Sequence, residues 1–328
     1  MSDAVFVEAP ARLHFGMLDL RGDLGRRFGG IGAAAPAPSL LLEAAAAPPA
    51  ELRAEGPDAD RALEFARRYV AFHGRALGAR LRLHRVIPSH AGLGSGTQLA
   101  LAVARALAEL NGLPTEVTAL ARAVGRARRS AIGTWTFAHG GFVLEGGRRA
   151  DRDEPAPLLA RLPLPTAWRV VIAVPGGAPG LSGEEEAAAF EQLPPPDARE
   201  VERVAHLVLM QLLPALAEAD LPSFGAALSE VQRLTGGWFA PIQGGVFAPG
   251  ESAALVQRLR DWGAAGVGQS SWGPAVYGIV AGEAEGRALA QRVRSAFGAQ
   301  GVVFEGGGRA EGARVWHGRA DSIIPLRT

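Results

Sequence analysis

A glycine-rich stretch, IPSHAGLGSGTQ, stands ahead of a long apolar run and contains the residue types that hold an anion. Three glycines fall within five positions, and Ser95 and Thr97 stand between and after them. Glycine lets backbone N–H groups converge on an oxygen-rich ligand, and a helix that begins there adds unpaired donors. A tight strand-to-helix connection is the alternative. The pattern predicts a phosphate-binding loop formed by Gly92, Leu93, Gly94, Ser95, Gly96, Thr97 and Gln98.

This loop needs further positive charge, because a helix terminus offers only about 0.3–1 kcal/mol to one exposed charge and a diphosphate carries several. The chain contains no lysine, so Mg²⁺ or arginine must supply that charge. A cluster near the N-terminus, Arg12, His14, Asp19, Arg26 and Arg27, contains suitable residues. Guanidinium groups suit the bidentate capture of carboxylate and phosphate.

A second polar, glycine-rich loop, GVGQSSWGPAVYG, precedes a strand in the second half of the chain. Amide and hydroxyl side chains there offer uncharged hydrogen bonds to a sugar or phosphate, and Trp272 offers an aromatic face. Ordinary core packing is the alternative for Trp272. The predicted substrate contacts in this loop are Gly266, Gly268, Gln269, Ser270, Ser271 and Trp272.

Composition narrows the class of protein. The 328 residues predict two packed domains, and a net charge of +1 gives no support for nucleic-acid or membrane-surface binding. The absence of cysteine excludes thiolate nucleophiles, disulfides and cysteine-ligated metals. No apolar run reaches the ~20 residues of a membrane helix, and no signal peptide is evident, so we predict a cytoplasmic protein. The short RARRS run at residues 126–130 is interpreted as a solvated helix end.

The elements around these loops alternate between strand and helix patterns, and their mixed order favours an α+β fold. Residues 21–32 are too rich in glycine for regular structure, and a separate strand follows near Ser39. A helix is expected to follow the phosphate loop and end at Asn111, and a second one to cover residues 115–128. A proline-rich segment at residues 151–165 contains the predicted domain boundary, which gives domains of residues 1–160 and 161–328.

Together these motifs resemble the GHMP kinase superfamily, and more closely its non-kinase branch, β-ribofuranosylaminobenzene 5′-phosphate (β-RFAP) synthase. Departures from the kinases are Gly96, Thr97 and Gln98 in place of a serine-rich continuation, and the lack of lysine. TWTF, at residues 134–137, is bulkier than the small residues of the branch. The matching segments, in order over nearly the whole chain, are ARLHFGMLDL, GRRFGGIG, IPSHAGLGSGTQLAL, RSAIGTWTFAHGGFVLEGG, PGLSGEEE and GVGQSSWGPAVYG.

The resemblance implies both a fold and a reaction. The fold would have an N-terminal ribosomal-protein-like α+β domain and a C-terminal ferredoxin-like α+β domain. The reaction would join 5-phosphoribosyl 1-pyrophosphate (PRPP) to 4-aminobenzoate or 4-hydroxybenzoate, releasing CO₂ and diphosphate at the first committed step of methanopterin biosynthesis. The implied cofactor is Mg²⁺, the partners are these small molecules, and a homodimer is compatible with the resemblance.

Within that reaction, each remaining candidate receives a role and an alternative. Arg12 contacts substrate, and Arg26 and Arg27 hold the benzoate carboxylate or the ribose 5′-phosphate unless they are exposed loop residues. His14 and His90 orient the para substituent or assist proton movement, or else make structural hydrogen bonds.

The metal ligands are expected to be carboxylates and a hydroxyl. Asp19 is the first candidate for Mg²⁺, and its alternative role is to cap a turn. Ser95 and Glu184 are two further candidates, and Glu184 alternatively belongs to the acidic first turn of a helix.

Two other functions remain open at the level of sequence. The stronger is an ATP-dependent small-molecule kinase of the GHMP superfamily, with ATP in place of PRPP on the same loop. The other is a non-catalytic nucleotide-binding paralogue, which would bind ligand without turnover.

Overall fold

The structure, a computed structural model, describes residues 3–176, 180–181, 183–297 and 300–319. The strands of this part are β1 (Asp3–Asp19), β2 (Arg26–Ala46), β3 (Leu52–Glu55), β4 (Ala79–Arg85), β5 (Phe142–Glu145), β6 (Arg148–Arg149), β7 (Leu158–Leu162), β8 (Trp168–Pro175), β9 (Gly266–Gln269), β10 (Val276–Ala281), β11 (Gly301–Gly307) and β12 (Arg314–Arg319). The helices are α1 (Ala59–His73), α2 (Ser95–Leu110), α3 (Val117–Ala123), α4 (Ile132–His139), α5 (Gly183–Gln192), α6 (Ala198–Leu207), α7 (Leu213–Ala217), α8 (Leu221–Gln243), α9 (Glu251–Asp261) and α10 (Glu283–Phe297). A π-helical segment, Val208–Leu212, lies between α6 and α7. The predicted α+β class is confirmed.

Two sheets organise the described chain. The first has the order β12-β1-β2-β4-β3, with β5 and β6 also pairing with β2 and β7 pairing with β5. The second has the order β11-β8-β10-β9. β7 crosses the boundary predicted at residue 160 and stays in the first sheet, and β12 returns to that sheet from the second half of the chain. The division at residue 160 stays a prediction.

Helix α2 is buried, and its burial places its N-terminus at the site described below. Its sequence, SGTQLALAVARALAEL, is apolar on almost every side, and buried positions run from Ser95 to Ala108. A helix with that pattern belongs inside a protein, and α2 packs against β1, β2, α1, α3 and α4. It ends at Leu110 with Asn111 as its C-cap, as the sequence predicts.

The prediction that residues 21–32 lack regular structure is wrong for most of that segment. β2 begins at Arg26 and continues to Ala46, so it also includes the separate strand expected near Ser39. Its glycine-rich start pairs with β1 on one side and β5 on the other. A Cβ at Gly32 would lie 2.4 Å from the Leu13 carbonyl oxygen. Glycine here permits close strand packing, and the two neighbouring strands supply the hydrogen bonds.

The helix predicted over residues 115–128 is much shorter. α3 covers Val117–Ala123, with the Glu116 side chain accepting from the Ala119 amide at 3.0 Å as its N-cap. Gly125 follows with a left-handed φ of 68°, and the chain leaves the helix. The RARRS run is therefore not helical, and tertiary contacts position its side chains.

Among the elements that the sequence did not predict are α4 and β12. α4 contains the TWTF sequence and packs beside α2, β1 and β2. β12 pairs with the start of β1, and Trp316 stacks on Phe6 with ring centroids 5.4 Å apart. No helix among the described residues is long and apolar enough to cross a bilayer.

Candidate active site

The predicted phosphate loop connects β4 to α2 and ends in a turn with unpaired donors. Gly92 and Gly94 adopt left-handed conformations, with φ of 75° and 77°. The amides of Thr97 and Gln98 both donate to the Gly94 carbonyl at 3.0 Å. The amides immediately before them, of Ser95 and Gly96, precede the first helical donors and have no acceptor within the helix. Such a turn suits an anion.

Two glycines of the loop allow other segments to approach it closely. A Cβ at Gly94 would lie 2.7 Å from Cγ of Arg12, and one at Gly92 would lie 2.2 Å from the Ser270 carbonyl oxygen. Arg12 donates through its guanidinium to the Gly92 carbonyl, and its amide donates to the Leu93 carbonyl at 2.9 Å. The loop therefore depends on glycine because β1 and the 270–275 loop pack directly on it.

Three guanidinium groups surround the start of α2. Besides Arg12, nitrogens of Arg61 and Arg126 each lie 3.1 Å from the point where a Cβ at Gly96 would be. Arg61 is held by Asp58 at 3.0 Å and by Ser89, and the Arg126 guanidinium lies 4.8 Å above the Phe65 ring.

Burial lowers the pKa of Arg12 and that of Arg126 to about 10, which leaves both groups charged at neutral pH. For Arg126, the charges of nearby Arg68 and Arg61 contribute to this lowering after burial. The structure thus supplies the positive charge that a loop without lysine requires.

These groups line a cleft with about 750 Å³ of free space, which we call the phosphate cleft. Glu186 of α5 lies on its wall and forms an ion pair with Arg129 at 2.9 Å. The cleft is lined by Arg12, Arg61, His90, Gly92, Gly94, Ser95, Gly96, Thr97, Arg126, Leu181, Gly183, Glu186 and Ser271.

A second space of about 690 Å³, the junction, adjoins the phosphate cleft and is bounded in part by Arg128, Arg129 and Ser130. His14 lies on its wall. The His14 amide donates to Ser270 Oγ at 2.9 Å, and its Nε2 lies 3.2 Å from Ser130 Oγ. Burial first, and the charge of Arg12 second, lower the pKa of His14 to about 3, so its ring is neutral at neutral pH.

Beyond the junction is a third space, the aromatic chamber, which shares His14, Met17, Phe190 and Ser271 with the junction. The rings of Phe190, Phe239 and Trp272 meet edge to face, with centroids 4.8–5.7 Å apart. Three rings in this arrangement form a rigid apolar wall. The chamber suits a flat ring with a polar substituent, because polar groups also reach it.

Most of the predicted site residues meet here. Ser271 lines all three spaces, and Ser270 is fully buried and donates to the Gly92 carbonyl at 2.7 Å. The side chain of Gln269 has a supporting role. Its Oε1 accepts from the Ala248 amide at 2.7 Å, and its Nε2 donates to Gln243 Oε1 at 2.8 Å. Gln98 lies behind the loop and donates to the Gly133 carbonyl at 2.9 Å. His90 and Trp272 line the phosphate cleft and the aromatic chamber respectively.

Gly266 and Gly268, both predicted to contact substrate, lie in β9 against helix α8. A Cβ at Gly268 would lie 2.4 Å from Gln232 Oε1, and one at Gly266 would lie 3.1 Å from Gly225 Cα. Their observed role is close packing of strand on helix.

Asp19, Arg26 and Arg27 lie away from the walls of the three spaces. The Asp19 carboxylate accepts from the amides of Arg21 at 2.6 Å and Gly22 at 3.0 Å, which is a turn cap. Arg26 donates to the Gly147 carbonyl at 3.0 Å and Arg27 to the Leu20 carbonyl at 2.8 Å. Their functional roles stay predictions.

The donor set of the phosphate cleft fits one kind of Mg²⁺ site. Among the described residues no group of three or more histidines and carboxylates forms a metal cage. The side chain of Glu184 lies outside the described residues. Ser95 and Glu186 line the same cleft, and Mg²⁺ commonly takes one or two protein oxygens together with substrate phosphates and water. These two residues fit a magnesium ion that arrives with a diphosphate.

Sequence reasoning missed Arg61 and Arg126, and from the run of three glutamates it selected Glu184 as a metal ligand, whereas Glu186 is the one that lines the cleft. The interpretation of RARRS as a solvated helix end is wrong for Arg126. The signal for Arg126 was present, since a chain that lacks lysine places arginine wherever a buried cation is needed. Arg61 carried no local signal, because it reaches the loop only through the packing of α1 on α2.

Comparison of this structure with known ones identifies its fold. Residues 59–141 match the GHMP kinases N terminal domain, and residues 212–299 match the GHMP kinases C terminal domain. Homoserine kinase from Cytophaga hutchinsonii superposes with a TM-score of 0.68 at 20% identity over 96% of this chain and 98% of that one. A 4-(cytidine 5′-diphospho)-2C-methyl-D-erythritol kinase gives 0.61 at 24% identity, covering 93% and 100%. The predicted GHMP-kinase-like fold is confirmed.

Curated relatives identify the branch. β-Ribofuranosylphenol 5′-phosphate synthase of Methanothermobacter thermautotrophicus is 35% identical over 84% of this chain and 88% of its own length. The protein of the same name from Archaeoglobus fulgidus is 36% identical over 85% and 89%. The chain therefore belongs to the β-ribofuranosylphenol 5′-phosphate synthase family, a family of transferases on the GHMP kinase fold.

Proposed function

We propose that this enzyme joins PRPP to 4-hydroxybenzoate or 4-aminobenzoate, releases CO₂ and diphosphate, and so begins methanopterin biosynthesis. The observation that supports this reaction is the adjacency of an arginine-lined phosphate cleft and an aromatic chamber, with His14 at the wall between them. A sugar diphosphate and an aromatic acid need these two environments side by side. The relatives' name contains a phenol, which favours the hydroxy acid as the first acceptor to test.

The phosphate cleft would hold the leaving group. When the bond between ribosyl C1 and the diphosphate oxygen breaks, the electron pair goes to diphosphate. The amides of Ser95 and Gly96 and the charges of Arg12 and Arg126 stabilise that negative charge. Mg²⁺, when bound through Ser95 and Glu186, supplies additional charge neutralisation there.

The aromatic chamber would present the second substrate to C1. The ring carbon that bears the carboxylate attacks and forms the new C–C bond with a pair of ring electrons. The bond to the carboxylate then returns its electron pair to the ring, and CO₂ leaves. Atoms and charge balance without a protein nucleophile, which agrees with a chain that has neither lysine nor cysteine.

Arginines of the junction would hold the ribose 5′-phosphate. Arg128 and Arg129 line this space between the two substrates, and Arg129 already pairs with Glu186. Arg26 and Arg27 are the alternative that the sequence suggests. Arg129→Gln and Arg26→Gln separate the two assignments, because only one of them would raise KM for PRPP.

A carbon-release assay tests the reaction. Carboxyl-labelled 4-hydroxybenzoate or 4-aminobenzoate, PRPP and Mg²⁺ are incubated with the enzyme, and labelled CO₂ and diphosphate are measured together. We expect the two products in equal amounts, and none when ATP replaces PRPP. Consumption of ATP without CO₂ release would support the kinase alternative, and binding of PRPP without turnover would support the non-catalytic one.

A further inference from the structure

Ser271 occupies a position in the site that it shares with no other described residue. It borders the phosphate cleft, the junction and the aromatic chamber, and among the described residues it alone lines both the cleft and the chamber. In the proposed reaction, ribosyl C1 loses the diphosphate oxygen on one face and gains the aromatic carbon on the other. C1 must therefore lie where the cleft meets the chamber, which is beside Ser271.

The hydroxyl of Ser271 is free to contact a ligand at this point. It has no hydrogen-bond partner among the described residues, and it is not one of the buried polar atoms that lack a partner, so its oxygen reaches open space. Its neighbour Ser270 differs, because that hydroxyl donates to the Gly92 carbonyl at 2.7 Å and accepts from the His14 amide at 2.9 Å. The loop thus uses one serine to hold itself together and presents the other to the three spaces.

The backbone of Ser271 indicates that its side chain has a function. Its φ of 57° lies in the left-handed region, which glycine adopts readily and a residue with a Cβ does not. Glycine would therefore suit this turn better than serine, as it does two residues later at Gly273, whose φ is 68°. Residues strained in this way persist where the surrounding structure holds them, and they concentrate at active sites.

Gln269 holds this strained turn in place. Its Oε1 accepts from the Ala248 amide at 2.7 Å, which fixes the orientation of the side-chain amide. Both protons of Nε2 are then used, one on the Ser271 carbonyl at 3.0 Å and the other on Gln243 Oε1 at 2.8 Å. The same side chain packs on Gly273, where a Cβ would lie 2.9 Å from its Cδ. The turn is therefore anchored to α8 through a single glutamine.

We infer that the Ser271 hydroxyl donates a hydrogen bond to the oxygen that joins ribosyl C1 to diphosphate in bound PRPP, and that Gln269 is the positioning residue that holds this hydroxyl in place. This role rests on the proposed function. As the C1–O bond breaks, the electron pair goes to that oxygen, and the hydrogen bond strengthens with the growing negative charge. Ser271 keeps its proton throughout, so the step needs no acid or base from the loop.

Two substitutions of Ser271 separate a role in the reaction from a role in folding. Ser271→Gly removes the hydroxyl and relieves the left-handed strain. We expect its Tm to rise by roughly 1–3 °C while kcat falls about 10- to 100-fold, the range for a hydrogen bond to a charged group. Ser271→Ala keeps the strain, so the same loss of kcat should occur without the rise in Tm. Thermal unfolding and initial rates of labelled CO₂ release measure both.

Ala219→Gly is the matched control. Ala219 follows α7 with a φ of 58° and lines none of the three spaces, so glycine relieves the same strain there. Its Tm should rise as in Ser271→Gly, and its kcat should stay at the wild-type value. Wild-type kcat in both Ser271 variants would overturn the inference. A fall in Tm for Ser271→Gly would also overturn it, because the side chain would then serve to stabilise the loop.

Gln269→Glu tests the positioning role. A carboxylate presents oxygen to the Ser271 carbonyl and to Gln243 Oε1, so both hydrogen bonds are lost. We expect kcat to fall as in Ser271→Ala, and the double variant to be no slower than the slower of the two single variants. Losses that multiply in the double variant would show that Gln269 acts independently of the Ser271 hydroxyl.

Wild-type activity separates this inference from the proposed function. If the wild type releases labelled CO₂ and diphosphate while both Ser271 variants match its kcat, the reaction stands and the inference alone fails. If the wild type releases neither product from either acid, the proposed reaction fails, and the role assigned to Ser271 fails with it.

Discussion

Arg126 is a largely buried, charged arginine that lies directly beside the start of α2. It lies beside Gly96 and stays protonated although burial lowers its pKa to about 10. Its Nε is buried without a hydrogen-bond partner among the described residues, and its Nη2 lies 3.1 Å from the Cβ position of Gly96 at the start of α2, where it can donate to a ligand. These features make it the residue whose loss should most affect phosphate binding.

Arg126→Ala should lower kcat/KM for PRPP by about 10- to 100-fold, because a hydrogen bond to a charged group is worth about 1.5–3 kcal/mol. KM for the aromatic acid should change little. Arg149→Ala is the control, since Arg149 is exposed and pairs with Asp151 outside the cleft. Equal effects of the two substitutions in steady-state assays would show that Arg126 has no specific role.

Glu145, the last residue of β5, is completely buried and should leave a signature in the pH dependence of stability. Burial raises its pKa from 4.5 to about 7 in the folded protein, so the folded state binds the extra proton between these values. The stability from this group is therefore fully present below pH 4.5 and is lost as pH rises to about 7. The size is roughly 3 kcal/mol at 1.36 kcal/mol per pKa unit. Denaturant unfolding of wild type and Glu145→Gln across this range measures it, and parallel curves would contradict it.

At the scale of elements, the first turn of α2 is the feature that brings the site together. Gly94 combines a left-handed φ of 77° with direct contact to Arg12. Gly74, at the C-cap of α1, has a similar φ of 60° but open space around it. The two glycines therefore differ in crowding and share their backbone conformation.

Gly94→Ala should destabilise the fold more than Gly74→Ala and should also raise KM for PRPP, because the new methyl group displaces Arg12. Gly74→Ala carries only the strain of a left-handed alanine, about 1 kcal/mol, and should leave kinetics unchanged. Thermal unfolding and initial rates of both variants provide the comparison. Identical losses of stability with unchanged KM would mean that the Arg12 contact is unimportant.

The turn between β1 and β2 depends on the carboxylate of Asp19. Asp19→Ala should lower the free energy of unfolding by about 1 kcal/mol, since two backbone amides lose their acceptor. Asp19→Asn should retain most of that stability, because its amide oxygen accepts the same bonds. Chemical denaturation checks both. If Asp19→Asn is fully stable yet needs far more Mg²⁺ for activity, the predicted metal role of Asp19 is supported.

Local patterns predicted some elements well and others poorly. The sequence predicted α2 correctly because an unbroken apolar helical pattern with glycine near both ends is a local signal. β2 was not, because a high glycine content normally indicates a loop, and here two neighbouring strands stabilise it. Arg61 escaped notice because the start of α2, which its guanidinium reaches, lies far from it in sequence. Its role follows from tertiary packing, which no window of sequence contains.

At the scale of the whole molecule, the site is built by both sheets and the helices between them. β1 and α2 provide Arg12 and the phosphate loop, while the loop between β9 and β10 provides Ser270 and Trp272. The amide of Ala275 donates to the Ala91 carbonyl at 3.1 Å and joins the two loops. A ligand in this position therefore contacts both halves of the chain.

PRPP with Mg²⁺ should stabilise the entire protein in one cooperative transition. At a concentration 100-fold above Kd, the expected gain is about 2.7 kcal/mol. The Tm should rise accordingly in the wild type, and the rise should be smaller in Arg126→Ala at the same concentration. Separate transitions, with only one of them shifted by ligand, would show that the site belongs to one half alone.

The exclusive use of guanidinium cations has a chemical consequence for an enzyme that handles ribose phosphates. Hydrolysis of an activated ribosyl donor yields a reducing sugar, and its open-chain aldehyde condenses with primary amines in the early step of glycation. Arg12, Arg61 and Arg126 are not amines, and the chain has no lysine side chain to react in their place. Under the proposed function, the cleft therefore encounters its own hydrolysed donor repeatedly without covalent modification of the arginines that bind the next donor molecule.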